Sequence, residues 1–146
     1  VTVPELAVLA GAIASAVMTG VIWFVQIVHY PMLATVPAES VSAVSRDHRW
    51  RTTVVVGPPM AVEGITTLVL LLRRPDGVDL LGPWIAAGLL GVALGVTMWV
   101  SVPLHMAMSD RGDAGAARRL VVTNWWRTAA WSGRAVVMAV MVAQMT

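Results

Sequence analysis

Four long runs of apolar side chains fill most of this chain, and they limit what it can fold into more than any other feature. They cover roughly residues 6–29, 53–72, 84–105 and 124–144. Each is near the 20 or so residues that an α-helix needs to cross the hydrocarbon of a bilayer. Backbone N–H and C=O groups in lipid must be satisfied within the segment, so runs of this kind read as helices. The chain is 58% hydrophobic and 12% charged, whereas soluble domains carry roughly 25% charged residues. A soluble fold of 146 residues has too little interior to hide so much apolar surface. The expected fold is therefore all-α: one transmembrane domain over residues 1–146, built as a four-helix transmembrane bundle. The first run lacks a preceding basic segment and is long for a signal peptide, so it reads as a true span.

Local residues refine the helix ends. Pro31 follows Tyr30 and disfavours helix just before it, which predicts a break there. The stretch from Pro31 to Thr52 is the longest connection. Within it, Pro37 to Arg51 reads as a short amphipathic helix lying at the headgroups, an interfacial anchor with three arginines. Pro58 and Pro59 fall inside the second run, where neighbouring helices must absorb the freed carbonyls. Gly88, Gly91 and Gly95 recur at helical spacing and predict a close helix contact. No internal repeat is evident, which argues against a transporter built from inverted halves.

All ten basic residues are arginines. Arg46, Arg49 and Arg51 lie in the first connection; Arg111, Arg118, Arg119 and, at its edge, Arg127 lie in the third. The middle loop has only Arg73 and Arg74. The positive-inside rule then puts connections one and three in the cytoplasm and both termini outside. The net charge is only +2, and no zinc-finger or phosphate-loop pattern occurs, so nucleic acid is not an expected partner. With no cysteine, disulfides, thiolate chemistry and cysteine-ligated iron–sulfur clusters are excluded.

Span counting brings the chemistry to one end. His29 ends the first run, His48 precedes the second, His105 ends the third and Asn124 begins the fourth. An even number of crossings separates like ends, so all three histidines of the chain meet Asn124 on the cytoplasmic side. Gln26 and Tyr30 share that side, four residues apart and so on one helix face. Imidazole and carboxylate suit iron, copper or zinc. His29, His48, His105 and Glu63 are therefore candidate ligands of a mononuclear iron or copper site at the bundle mouth, with Met32, Met106 and Met108 adding soft sulfur. A haem held by His29 and His105 is the weaker alternative, because both sit at span ends. The plainer reading of each histidine is a polar interfacial residue. Glu63 and Arg134 both lie about ten residues deep from the same side, at equal depth by helical rise. Neither faces lipid cheaply, so they are expected to pair. Glu63 reads either as half of a structural ion pair or as a ligand or base tuned by Arg134.

Four fragments carry a family likeness: Trp-Phe-x-Gln-x-x-His-Tyr-Pro at 23–31, His-x-x-x-Thr at 48–52, Pro-Leu-His at 103–105 and Asn-Trp-x-Arg-Thr-x-x-Trp at 124–131. Together they resemble small bacterial four-span proteins distantly similar to the anthrone-oxygenase-like membrane family. The resemblance implies a protein of the bacterial inner membrane and oxygenation of polyketide aromatics. It carries Gln26, His29, Tyr30, His48, Glu63, His105, Asn124 and Arg127 over as site residues. The expected function is a membrane oxidoreductase acting on a lipophilic aromatic or quinone-like substrate. In it Glu63, Tyr30 and Arg127 serve catalysis, and Gln26, Asn124 and Arg134 position the bound groups. A non-catalytic membrane subunit, or a small-molecule binding protein, is the alternative. Expected partners are membrane lipid, a lipophilic small molecule, and a second copy or a larger membrane complex.

Overall fold

The computed structural model describes residues 1–146. The chain is all helical, with four long helices: α1 (Val3–Leu33), α2 (Val41–Leu72), α3 (Leu81–Arg111) and α4 (Ala114–Gln144). α1, α2 and α3 are long and apolar enough to cross a membrane. α4 lies outside that set, and its strongly polar side chains from Asn124 to Arg134 point inward. Asn124, Arg127, Thr128 and Arg134 are buried, while Val122, Trp126, Val136 and Val140 face out. α1 packs against α2 and α4, and α3 packs chiefly against α4. α1 and α3 thus stand across the bundle from each other.

The ends follow from local chemistry. Thr2 and Glu5 form a capping box at the start of α1, each side chain bonded to the other's backbone N–H. Asp113 caps α4 by accepting from the Gly115 and Ala116 N–H groups at 2.9 and 3.2 Å. Gly112, at φ +64°, stops α3 in the left-handed conformation that glycine adopts without strain. The predicted connection over 106–123 is therefore a two-residue reversal at Gly112 and Asp113. The 31–52 connection shrinks likewise: α2 begins at Val41, so its first turns replace the separate interfacial helix and hold His48 within the bundle.

Pro31 does not break α1. The helix widens to π geometry over Val25–His29, where the Tyr30 N–H reaches back to the Val25 carbonyl, and runs on to Leu33. α3 repeats the device over Thr97–Ser101, with Val102 N–H bonded to the Thr97 carbonyl just before Pro103. The inserted residue re-registers the ladder where proline has no N–H to give. Both insertions also re-aim side chains at the histidine end of the bundle, and π-bulges often accompany functional sites.

Two apolar clusters fill the interior. One, around Met18, Ile22, Met108, Leu120 and Trp131, lies toward the histidines. The other, around Val8, Leu70, Val78, Met138 and Met141, lies toward the chain termini. Between them sits a buried polar layer. Arg134 Nε is 3.2 Å from Glu63 Oε1, and both side chains are fully buried. The pair meets at the depth the helical rise predicts, but not through a two-pronged contact. Arg134 spreads its donors over Ser15 Oγ, Glu63 Oε1, Thr67 Oγ1 and the Ala86 carbonyl. Glu63 accepts in addition from Ser15 Oγ at 2.7 Å and Trp131 Nε1 at 2.9 Å. Close helix approach occurs at Gly11, where a Cβ would come within 2.7 Å of Met138 Cε. Gly88 and Gly91 have open space beside them, as does Gly64, and Gly95 meets only the Trp99 ring of its own helix, so the predicted glycine face makes no close contact with another helix.

Candidate functional site

The histidines converge from three helices. His29 leaves α1 in its π segment, His48 lies in the second turn of α2, and His105 follows Pro103 on α3. The His48 ring stacks on His29 at 4.3 Å between centroids and lies 5.0 Å from His105. Thr52, one turn along α2, bonds His48 Nδ1 at 3.1 Å. His48 thus stands between the other two rings.

A second chain of contacts starts at Arg127. Its Nη1 donates to Asn124 Oδ1 at 3.1 Å, Tyr30 Oη at 3.3 Å and Ser101 Oγ at 3.4 Å. Tyr30 Oη lies 3.0 Å from His105 Nε2. Because Arg127 donates to the hydroxyl oxygen, the Tyr30 proton is free to point at Nε2. Asn124 Nδ2 donates to Gln26 Oε1 at 2.9 Å, and Gln26 Nε2 donates to the Val121 carbonyl. Gln26 and Asn124 therefore hold α1 to α4 and set the pose of Arg127. The guanidinium also lies over the Trp131 ring at 5.3 Å.

Arg127 is the exceptional member. It is buried, Nε has no partner, and none of the four ion pairs in the chain includes it. A buried cation without a counter-ion is costly, and charged groups inside a membrane bundle mark functional pathways. The wall it shares with Tyr30, His48, Ser101 and His105 bounds a cavity of about 230 Å³ between α2 and α3. On the other side of His48 lies an apolar pocket of about 360 Å³ between α1 and α2, lined by Phe24, Val25, His29 and Val55 among others. His48, Thr52 and Val56 line both.

Sequence reasoning grouped Glu63 and Arg134 with the histidines; the structure puts them in the central layer instead. Glu63 Oε1 accepts from Ser15 and Arg134 and Oε2 accepts from Trp131, so three donors hold the carboxylate in that layer. The histidines fit a metal in donor type, and His29 Nε2 and His105 Nδ1 are buried without partners. Their placement does not fit: the rings stack face to face, and no three histidine or carboxylate groups lie close enough to hold one ion. His48 also stands against both rings where a haem between His29 and His105 would lie. Ser101 and Ser45, whose Oγ donates to the His105 carbonyl at 3.4 Å, escaped the sequence reading. Only their spacing, two residues before Pro103 and three before His48, pointed to them.

No protein family, curated protein or solved structure matches the chain.

Proposed function

We propose that this chain is a four-span protein of the bacterial inner membrane, with both termini outside, that oxidises a lipophilic aromatic or quinone-like molecule at a ring oxygen or the carbon conjugated to it. The observation that carries the reading is Arg127, a buried cation with no counter-ion, donating to Tyr30 in the wall of a cavity. Such a group is suited to a ligand whose oxygen becomes negative, as a phenol or an enolisable ketone does on losing a proton. Tyr30 and His105 supply the proton path: the phenol hands its proton to His105 Nε2 and takes the substrate's in turn, while Arg127 stabilises the oxyanion. Dioxygen is the oxidant that the family likeness implies: the enolate carbon bonds to it as a hydroperoxide, whose O–O bond then breaks with loss of water to leave the ring ketone. The inward polarity of α4 supports a fourth span, since its outer face is as apolar as lipid requires. The apolar pocket between α1 and α2 supports lateral entry of the substrate from the bilayer, with His48 at the boundary between the two cavities. Metal chemistry is given no part in these steps, because the donors do not converge as placed.

The test is oxygen uptake by the protein in nanodiscs with an anthrone, alongside binding of the corresponding quinone followed by tryptophan quenching. Saturable uptake that Tyr30→Phe lowers by roughly tenfold or more is the expected result. Uptake no faster than in empty nanodiscs, with no saturable binding, overturns the proposal. Binding without uptake favours the second reading, a binding protein for the same class of molecule, for which the cavity and its donors already suffice.

A further inference from the structure

A third cavity, with no histidine in its lining, lies on the outer side of the α3–α4 hairpin. It is an open groove of about 520 Å³. Trp99, Val100, Pro103 and Leu104 of α3, at spacings of one, four and five, form one apolar wall. Arg118, Arg119 and Val122 of α4 form the other. The arginines sit at the end nearest the Gly112 turn, and the apolar residues run inward from them. No acidic residue lines the groove. Arg119 is steadied by Asp113 at 2.7 Å, whose other carboxylate oxygen is spent capping α4. Arg118 is exposed and enters no ion pair. The Trp99 ring is 82% exposed and Val122 70%, so the wall is bare of protein.

We infer that this groove seats one anionic phospholipid, its phosphate on Arg118 and Arg119 and the first part of an acyl chain against Trp99, Pro103 and Val122. A basic pair at the headgroup end of an apolar furrow between two helices matches that molecule in charge and in polarity along its length. The inference rests on the chain spanning a membrane, with the hairpin end at one face of the bilayer.

The experiment uses the full chain reconstituted in phosphatidylcholine vesicles containing a minor fraction of phosphatidylglycerol. Either lipid carries the bromines that quench tryptophan. The Trp99 signal is the difference between wild type and Trp99→Phe. Brominated phosphatidylglycerol is expected to quench Trp99 more strongly than brominated phosphatidylcholine at equal mole fraction, with about a fivefold preference for each arginine engaged. Arg118→Gln with Arg119→Gln should erase the preference, whereas Arg46→Gln, on α2, should keep it. Both arginines are exposed, and an unchanged melting temperature in detergent verifies that the double variant folds. Equal quenching by the two lipids overturns the proposal, and so does a preference that survives in the double variant. Loss of the preference on adding inorganic phosphate assigns the arginines to a soluble anion and overturns it as well. If neither lipid quenches any tryptophan, the membrane placement itself fails; quenching without preference removes only the lipid site.

Discussion

Arg134 and Glu63 hold α4 to α2 through a fully buried contact of 3.2 Å between Nε and Oε1, with Ser15 and Thr67 completing the layer. Removing one partner strands the other as a buried charge, while removing both leaves neither. Arg134→Ala should therefore cost about 3–5 kcal/mol of stability, the usual range for breaking a buried pair. Arg134→Met combined with Glu63→Gln should cost clearly less. A thermal or denaturant cycle in detergent over both single variants and the double measures the coupling, and additive losses would show that the pair does not interact.

Tyr30 joins His105 to Arg127, and Tyr30→Phe removes the oxygen that both use. A hydrogen bond to a charged group contributes about 1.5–3 kcal/mol, so ligand binding or turnover should fall by roughly tenfold to a hundredfold. His48→Ala should act differently, by opening the boundary between the two cavities. Bulkier ring systems should then bind better in His48→Ala than in the wild type, which a quenching series over two- and three-ring quinones reads directly.

The glycines separate by position. At Gly11 a Cβ meets Met138 Cε at 2.7 Å and Thr66 Oγ1 at 3.0 Å. Met138 is flexible enough to yield to alanine, but Gly11→Val should overpack the contact and cost about 1–3 kcal/mol. Gly64→Ala and Gly88→Ala meet open space and should be neutral or gain up to about 1 kcal/mol from helix propensity. Melting temperatures of the three variants in one detergent give the order.

Asp79, in the loop between α2 and α3, is held below its usual carboxylate range, chiefly by the hydrogen bond from the Gln144 side chain and then by the Gly82 N–H. A depressed folded-state value means that the tie between this loop and the end of α4 is complete above the ordinary Asp range and is lost as pH falls through and below it. Limited proteolysis of the C-terminus should accelerate below about pH 4. Asp79→Asn should remove that dependence.

Topology has a direct test because the chain has no cysteine of its own. Single cysteines placed at Gly112 and Thr146 should react with an impermeant thiol reagent from opposite faces, Thr146 from outside and Gly112 only after the cytoplasmic side is opened. Labelling of both from one side would remove the even number of crossings on which the four-span arrangement depends.

What the sequence determined by itself was the helical class, the three most apolar helices and the end of the molecule where the histidines gather. These follow from run length, from composition and from counting crossings, all of which act along the chain. Depth is equally one-dimensional, and so the meeting of Glu63 with Arg134 was legible. Rotation about each helix axis was not, because it depends on which face a neighbour covers. Trp99 and Trp131 look alike in sequence, yet one is 82% exposed and the other fully buried. Gly11 makes the close contact that the Gly88–Gly95 series was expected to make. Tertiary structure likewise decided that Glu63 belongs to the central layer, that His48 stands between His29 and His105, and that Arg127 is a buried cation without a counter-ion. Each of these is set by side chains brought together from separate helices, over packing and π-helical re-registration that no single stretch of sequence encodes.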